Sequence, residues 1–462
     1  DRPRQWIGQA DGQTIRQAGA LEAVVRASGD IPVPHNAQET RAALRVINEI
    51  VCIAKGDEIR GQGPVHLNIQ IDSPLGGTIE IADEDHAPAI HTLGECTNFS
   101  FAAHELELLR KARLLFLAGP MPPCKTVSHA LSRLATLPNV AVATDILSNV
   151  QGCGHNIDTV LNALTPEQRR TLLPDIVVTI GGGITSALAK DWLRDGAARK
   201  ITQHLHIGTD GPAVDTFLCQ TYSIQATPRL ALPGLVEAIS ANAADNGYAA
   251  QWQEAVTKTE ETNKIFCNAL PWCELTVIRQ IIEAMPDNWG LHLSNGTTVR
   301  YAQTADCARL RRVDANRGVN GIDGSTSTAI GAAIASRHAT LLLTGDMSAQ
   351  YDFGALLVED IPATFKMVVI NNCGGGIFRA IANTHHLPVT PRYLAGGVIL
   401  PLEAVCLSRS FGYYRSDNIE TLKSEFEAMI ARTDAPCILE AVVPPETGAE
   451  VFKKLYTLYK RH

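Results

Sequence analysis

The residues with the clearest chemical potential are Thr344-Gly345-Asp346-Met347-Ser348 and Val369-Ile370-Asn371-Asn372-Cys373-Gly374. Each follows an apolar run, Ala339 to Leu343 and Phe365 to Ile370, that reads as a buried parallel strand. Asn372 follows Asp346 by 26 positions, room for one helix returning to a neighbouring strand. Two oxygen side chains and the Gly374 carbonyl would then converge at the carboxyl edge of one sheet. That edge is where open α/β sheets place ligands. Oxygen donors of this kind suit a hard divalent cation, which in the case of magnesium is also held by substrate phosphates. Either half alone reads more readily as a βα turn with a capping Asp or Asn. Both halves at this spacing favour the cation site.

The elements that must position these residues set the architecture. At 462 residues the chain is long enough for two to four domains, and its hydrophobic fraction of 45% is ordinary for packed cores. The sequence reads as α/β, with three doubly wound parallel-sheet domains. The first spans 1–75, with a helix near Ala37 to Lys55 and a strand at Val65 to Ile69. A linker at 76–108 follows, with turn residues at its start and the acidic run Asp83-Glu84-Asp85 within it. A central domain at 109–260 carries strands at Leu114 to Gly119, Val140 to Ala143, Asp175 to Ile180 and His204 to Ile207. Its end is a helical connector at Leu235 to Glu261. The third domain, 275–462, bears Asp346 and Asn372. Gly181-Gly182-Gly183 lacks the spacing of a dinucleotide fingerprint and reads as a tight βα turn.

Composition excludes several partners. A formal net charge of −8 gives no basic footprint for nucleic acid. No apolar run reaches membrane-spanning length, and nothing at the start resembles a signal peptide. The eleven cysteines show neither C-x-x-C pairs nor zinc spacing. Cys52, Cys219 and Cys437 read as reduced thiols on buried strands, which fits a cytoplasmic protein. Asp1-Arg2-Pro3 has no initiator Met and enters what reads as mid-domain, so an amino-terminal segment is expected upstream.

The Gly-Asp and Asn-Asn pair resembles the signature of thiamine-diphosphate enzymes, in which magnesium ties the cofactor's diphosphate to the protein. Asn316-Arg317-Gly318-Val319-Asn320-Gly321-Ile322-Asp323-Gly324, running on through Ser325 to Ala329, is similar to a block of the SEPHCHC synthase family. So is Asn371 to Phe378. Asp1-Arg2-Pro3, Gln13 to Gln17 and Gly63 to Asn68 match first-domain segments of that family. The resemblance implies a synthase of menaquinone biosynthesis that uses 2-oxoglutarate and isochorismate.

For the site, the resemblance implies thiamine diphosphate and magnesium, or manganese, as cofactors. Asp346, Asn372 and Gly374 would hold the metal. Gly321, Ile322, Gly324, Ser327, Gly345, Asp346, Met347, Ser348, Asn372, Gly374, Gly375 and Ile377 would hold the cofactor. Gly321 and Gly324 would let backbone approach a phosphate at a helix start, and Ile322 would bend the cofactor. Arg300 and Arg317, with Arg2 and Gln13 from the first domain, would bind the carboxylates of the substrates. Phe378 and Ile381, beside Ile377, would wall the reacting carbon. The family's activating glutamate precedes its Asp-Arg-Pro motif, so its position is expected upstream of residue 1 and no catalytic residue is assigned. The resemblance also implies a homodimer or homotetramer with active sites between subunits. Departures occur where Gly296 replaces a serine, Gly12 an asparagine, and Ala187-Leu188 a Lys-Arg pair. Two other readings stay open: a 2-oxoacid enzyme of the acetolactate synthase or benzoylformate decarboxylase type, and a chain that binds cofactor without turnover.

Overall fold

A computed structural model describes residues 2–57, 61–72, 102–210, 214–381, 383–397 and 400–458. They divide into two compact units, one holding those before residue 101 with 208–210 and 224–231, the other holding the rest. The protein is α/β with three parallel sheets.

In the first unit, β1 (Ala27–Ile31) pairs in parallel with β2 (Val65–Ile69). The helix Ala37–Lys55 joins them. Asn36 starts it by accepting from the amides of Gln38 and Glu39, and Gly56 ends it with φ of 58°. Cys52 lies on this helix rather than on a strand. The linker expected at 76–108 falls, up to residue 101, outside the described residues. Its last part belongs to the helix Ala103–Lys111.

The second sheet consists of β3 (Leu114–Ala118), β4 (Val140–Thr144), β5 (His155–Asn156), β6 (Ile176–Ile180), β7 (Gln203–Gly208) and β8 (Gln220–Gln225), in the order β5-β4-β3-β6-β7-β8. β3 is buried along its whole length, as a strand covered on both faces must be. Cys219 directly precedes β8 instead of lying within a strand. The helical connector consists of two helices, Pro228–Ser240 and Tyr248–Asn268. Gly247, with φ of 74°, and the Asn246 side chain, which accepts from Tyr248 N at 3.1 Å, start the second one.

The third sheet consists of β9 (Gly290–Leu293), β10 (Arg312–Ala315), β11 (Thr340–Gly345), β12 (Phe365–Asn371), β13 (Gly412–Ser416) and β14 (Cys437–Val442), in the order β10-β9-β11-β12-β14-β13. Alternate residues of its strands enter different cores. Leu341, Leu343, Val368 and Ile370 pack with the helices Glu274–Ala284 and Ile419–Ala431. Leu342, Met367 and Val369 pack with Ser325–Ser336 and Leu402–Arg409. This two-sided burial is why the strands read as unbroken apolar runs. Lys366 is the exception on β12. Its buried ammonium donates to the carbonyls of Arg432 and Ala435 at 2.6 and 3.0 Å, and to Cys437 Sγ at 3.2 Å.

Register brings the chemistry to one edge. Gly345 pairs with Ile370, and Leu343 pairs with Leu293. The chain after β9, β11 and β12 therefore emerges side by side. β9 also has β10 on one side and β11 on the other, a reversal of winding that opens a crevice at the strand ends.

Candidate active site

Asp346 begins the short helix Asp346–Tyr351 directly after β11. Its Oδ1 accepts from Met347 N at 2.7 Å, and its Oδ2 accepts from Gly374 N at 2.8 Å. The second bond joins the corner after β11 to the corner after β12. Gly374 makes that approach with φ of +123°, and a Cβ there would lie 2.3 Å from the Ala395 carbonyl oxygen. Asp346 is only 1% exposed. Burial pushes its carboxyl up to about 6, although the two amides pull it down.

Asn372 completes the edge. Its Nδ2 donates to Glu274 Oε1, while its Oδ1 is buried and has no hydrogen-bond partner among the described residues. An orphaned buried acceptor costs about 1–3 kcal/mol unless a bound group satisfies it. Asp346, Asn372 and Gly374 line one small cavity with Ile322, Met347, Ser348, Gly375, Ile377 and Phe378. A buried carboxylate beside an unmatched amide oxygen is a donor set that fits a hard cation. Among the described residues, no three His, Cys, Asp or Glu side chains gather to hold a metal. A cation here would depend on amide and carbonyl oxygens as well as on Asp346.

The loop carrying Arg317 is fixed from β9. Asn295 Nδ2 donates to the carbonyls of Asn316 and Gly321, at 2.5 and 2.6 Å, and its Oδ1 accepts from Arg317 Nη1 at 2.7 Å. Ser348 Oγ donates to the Ile322 carbonyl at 2.5 Å, which ties this loop to the corner after β11. Arg317 is half-buried. Desolvation and the nearby Arg300 guanidinium both hold it below the usual arginine range. Arg300 Nη1 donates back to the Gly296 carbonyl.

With this geometry in hand, similarity to known proteins decides the family. No family model matches the chain. A 2-succinyl-5-enolpyruvyl-6-hydroxy-3-cyclohexene-1-carboxylate synthase from Flavobacterium psychrophilum is 30% identical over 459 residues, covering 97% of this chain and 79% of its own length. The chain belongs to this synthase family. Synthases of the same name from Flavobacterium johnsoniae and Porphyromonas gingivalis are 29% and 28% identical, each over 99% of this chain and about four-fifths of their own.

Within the chain, the site residues expected from the sequence separate into groups. Ile322, Gly345, Asp346, Met347, Ser348, Asn372, Gly374, Gly375, Ile377 and Phe378 share the cavity. Gly321, Gly324, Ser327, Arg300, Arg317 and Ile381 are not among its lining residues. The amide and hydroxyl of Ser327 both donate to Asp352 Oδ2, at 2.6 and 2.8 Å, so the chain's own carboxylate occupies that helix start. Ile381 is 37% exposed, at the end of the helix Gly376–Ala380. Arg2 and Gln13 belong to the first unit, where Arg2 pairs with Asp11 at 3.3 Å and Gln13 is exposed.

Four residues with a part in the site carry no nomination from sequence. Glu274 meets Asn372, and Asn295 holds the 316–321 loop. Arg379 donates to the carbonyls of Asn372 and Cys373 at 3.2 and 2.8 Å, which braces the turn. Lys190, on the helix Ala187–Ala198, is held below the usual lysine range by burial and by the charges of Arg317, Arg194 and Arg300. It brings a third cation toward Arg300 and Arg317, from the helix whose start has Ala187-Leu188 in place of Lys-Arg.

Proposed function

We propose that this chain is a thiamine-diphosphate- and magnesium-dependent SEPHCHC synthase that joins 2-oxoglutarate to isochorismate with loss of carbon dioxide, in menaquinone biosynthesis. The observation that supports this most directly is the unmatched, buried Oδ1 of Asn372, beside a carboxylate that ties two strand ends together. Asp346, Asn372 and the Gly374 carbonyl would hold magnesium or manganese. Met347, Ser348 and Gly375 would face the diphosphate, with Ile322 against the rings. Bound thiamine diphosphate would supply a nucleophilic carbon for the keto group of 2-oxoglutarate and a sink for the electrons released on decarboxylation.

The residues of the chain do the remaining work. Arg317 and Arg300, with Lys190 behind them, offer a cationic face to substrates that each carry two carboxylates. Ile377 and Phe378 keep water from the reacting carbon. Arg2 and Gln13 enter this reading through the family resemblance, as does an active homodimer or homotetramer.

Calorimetry on the full-length protein tests the reading. Thiamine diphosphate should bind with magnesium and weakly without it. Asp346→Asn should abolish the magnesium-dependent part, and retained binding would remove the metal assignment. With both substrates supplied, formation of the succinylated cyclohexene product supports the synthase. Condensation of pyruvate instead would transfer the reading to the acetolactate synthase type. Cofactor binding without either product would favour a chain that does not turn over.

A further inference from the structure

Glu274 is a carboxylate in a place where a carboxylate is costly. It opens the helix Glu274–Ala284, is 2% exposed, and sits where Gly376 and Gly448 leave room for it. A Cβ on either glycine would come within 2.7 Å of its Oε1. The helix start favours a negative charge there. Both oxygens are used. Oε2 accepts from Thr297 Oγ1 at 2.6 Å, and Oε1 accepts from Asn372 Nδ2. Thr297 thereby holds the carboxylate in one orientation.

A carboxylate only accepts hydrogen bonds, whereas an amide has a donating end and an accepting end. Against Glu274, only the NH2 end of Asn372 is tolerated. The carbonyl end must then turn the other way, where Oδ1 is buried without a partner in the cavity it shares with Asp346. We propose that Glu274 is a positioning residue that selects which end of the Asn372 amide faces the metal. The inference rests on the metal site proposed above and adds to it a role for a residue 98 positions before Asn372. Glu274 also lines this cavity, but both of its oxygens are taken by Thr297 and Asn372. Partners that orient a metal ligand in this way typically account for 10–100-fold of metal affinity.

The test measures manganese binding in the presence of thiamine diphosphate, by the electron paramagnetic resonance signal of free Mn²⁺, on the full-length protein. Glu274→Gln keeps the volume but offers Asn372 either a donor or an acceptor, so selection is lost. Metal affinity should fall 10–100-fold, with the melting temperature of the metal-free protein little changed. Asn372→Asp sets two carboxylates face to face and should also bind weakly. Combining the two should restore affinity at least tenfold over Asn372→Asp alone. The introduced glutamine can then donate to one oxygen of the introduced carboxylate and leave the other for the ion. A residue that mattered only for folding would not produce this rescue. Thr297→Ala, which frees Oε2 without altering the carboxylate, should weaken the metal severalfold and serves if Glu274→Gln does not fold. Unchanged affinity in Glu274→Gln, or in Thr297→Ala where that serves, overturns the inference, as does absence of rescue in the double variant. If the unaltered protein takes up no manganese with thiamine diphosphate, the proposed metal site fails and this role falls with it.

Discussion

Arg317 and Asn295 share one hydrogen bond but should fail differently when removed. Arg317 lends a single guanidinium contact to Asn295 and keeps the rest of its charge for a ligand. Arg317→Ala should lower kcat/KM about 10–100-fold, the equivalent of one charge-assisted contact of about 1.5–3 kcal/mol. Thiamine-diphosphate affinity should stay within about twofold. Asn295→Ala removes both bonds that pin the Asn316 and Gly321 carbonyls. It should cost about 1–3 kcal/mol of stability and weaken cofactor and substrate together. Steady-state kinetics beside calorimetry separate the two, and an Arg317→Ala enzyme with unaltered kinetics would end its assignment. The contrast also shows what the sequence could reveal. Asp346, Asn372 and Gly374 sit in contiguous motifs at strand ends, where local pattern is informative. Glu274, Arg379 and Lys190 act through neighbours that only the folded chain provides. Ser327 reads from sequence as an anion site because nothing local announces that Asp352 will cap it.

Among the elements, the turn after β12 decides whether the two corners meet. Gly374 holds a φ of +123°, outside the range that side-chain-bearing residues adopt readily, and backs directly onto the carbonyls of Ala395 and Gly396. Gly374→Ala should therefore displace the turn, break the bond from Gly374 N to Asp346, and destabilise the protein by about 1–3 kcal/mol. Manganese affinity should drop by more than tenfold, because the corner as well as one donor moves. Normal metal binding in this variant would mean that the Asp346–Gly374 contact does not organise the site. The strands leading into the corner were legible because each is covered on both faces and reads as an apolar run. The helical character of the 235–261 connector was legible too, and the break within it falls at the turn signal Asp245-Asn246-Gly247. Cys52 was misplaced because helix Ala37–Lys55 presents short apolar runs, such as Ile50-Val51-Cys52-Ile53, that look strand-like in isolation.

At the scale of the second unit, the central and third sheets are stitched by polar groups as well as by apolar packing. Asn149 exchanges bonds with both the amide and the carbonyl of Val313, at 2.7 and 3.0 Å. Gln303 accepts from Asn156 at 2.7 Å and donates to Asp145 at 3.2 Å. Asp158 lies in the same seam, accepting from Ser186 and, at 3.5 Å, from Tyr456 of the carboxyl-terminal helical segment. Burial pushes its carboxyl up to about 6, and the nearby Asp145 adds to the rise. The sign follows from proton linkage. A folded-state value above the unfolded one means that the native state binds more protons between about pH 4 and 6, so this group's contribution to stability declines as pH rises through that window. Asp158→Asn replaces the carboxyl with a group that stays neutral. At pH 4 variant and parent should melt at similar temperatures, since Asp158 is protonated in the folded parent. By pH 7 the parent carries the ionised, buried carboxylate, and the variant should melt several degrees higher. Melting curves collected every half pH unit provide the check. A difference that stays constant from pH 4 to 7 would mean that Asp158 is not titrating in this seam, and that Ser186 and Tyr456 hold it ionised throughout.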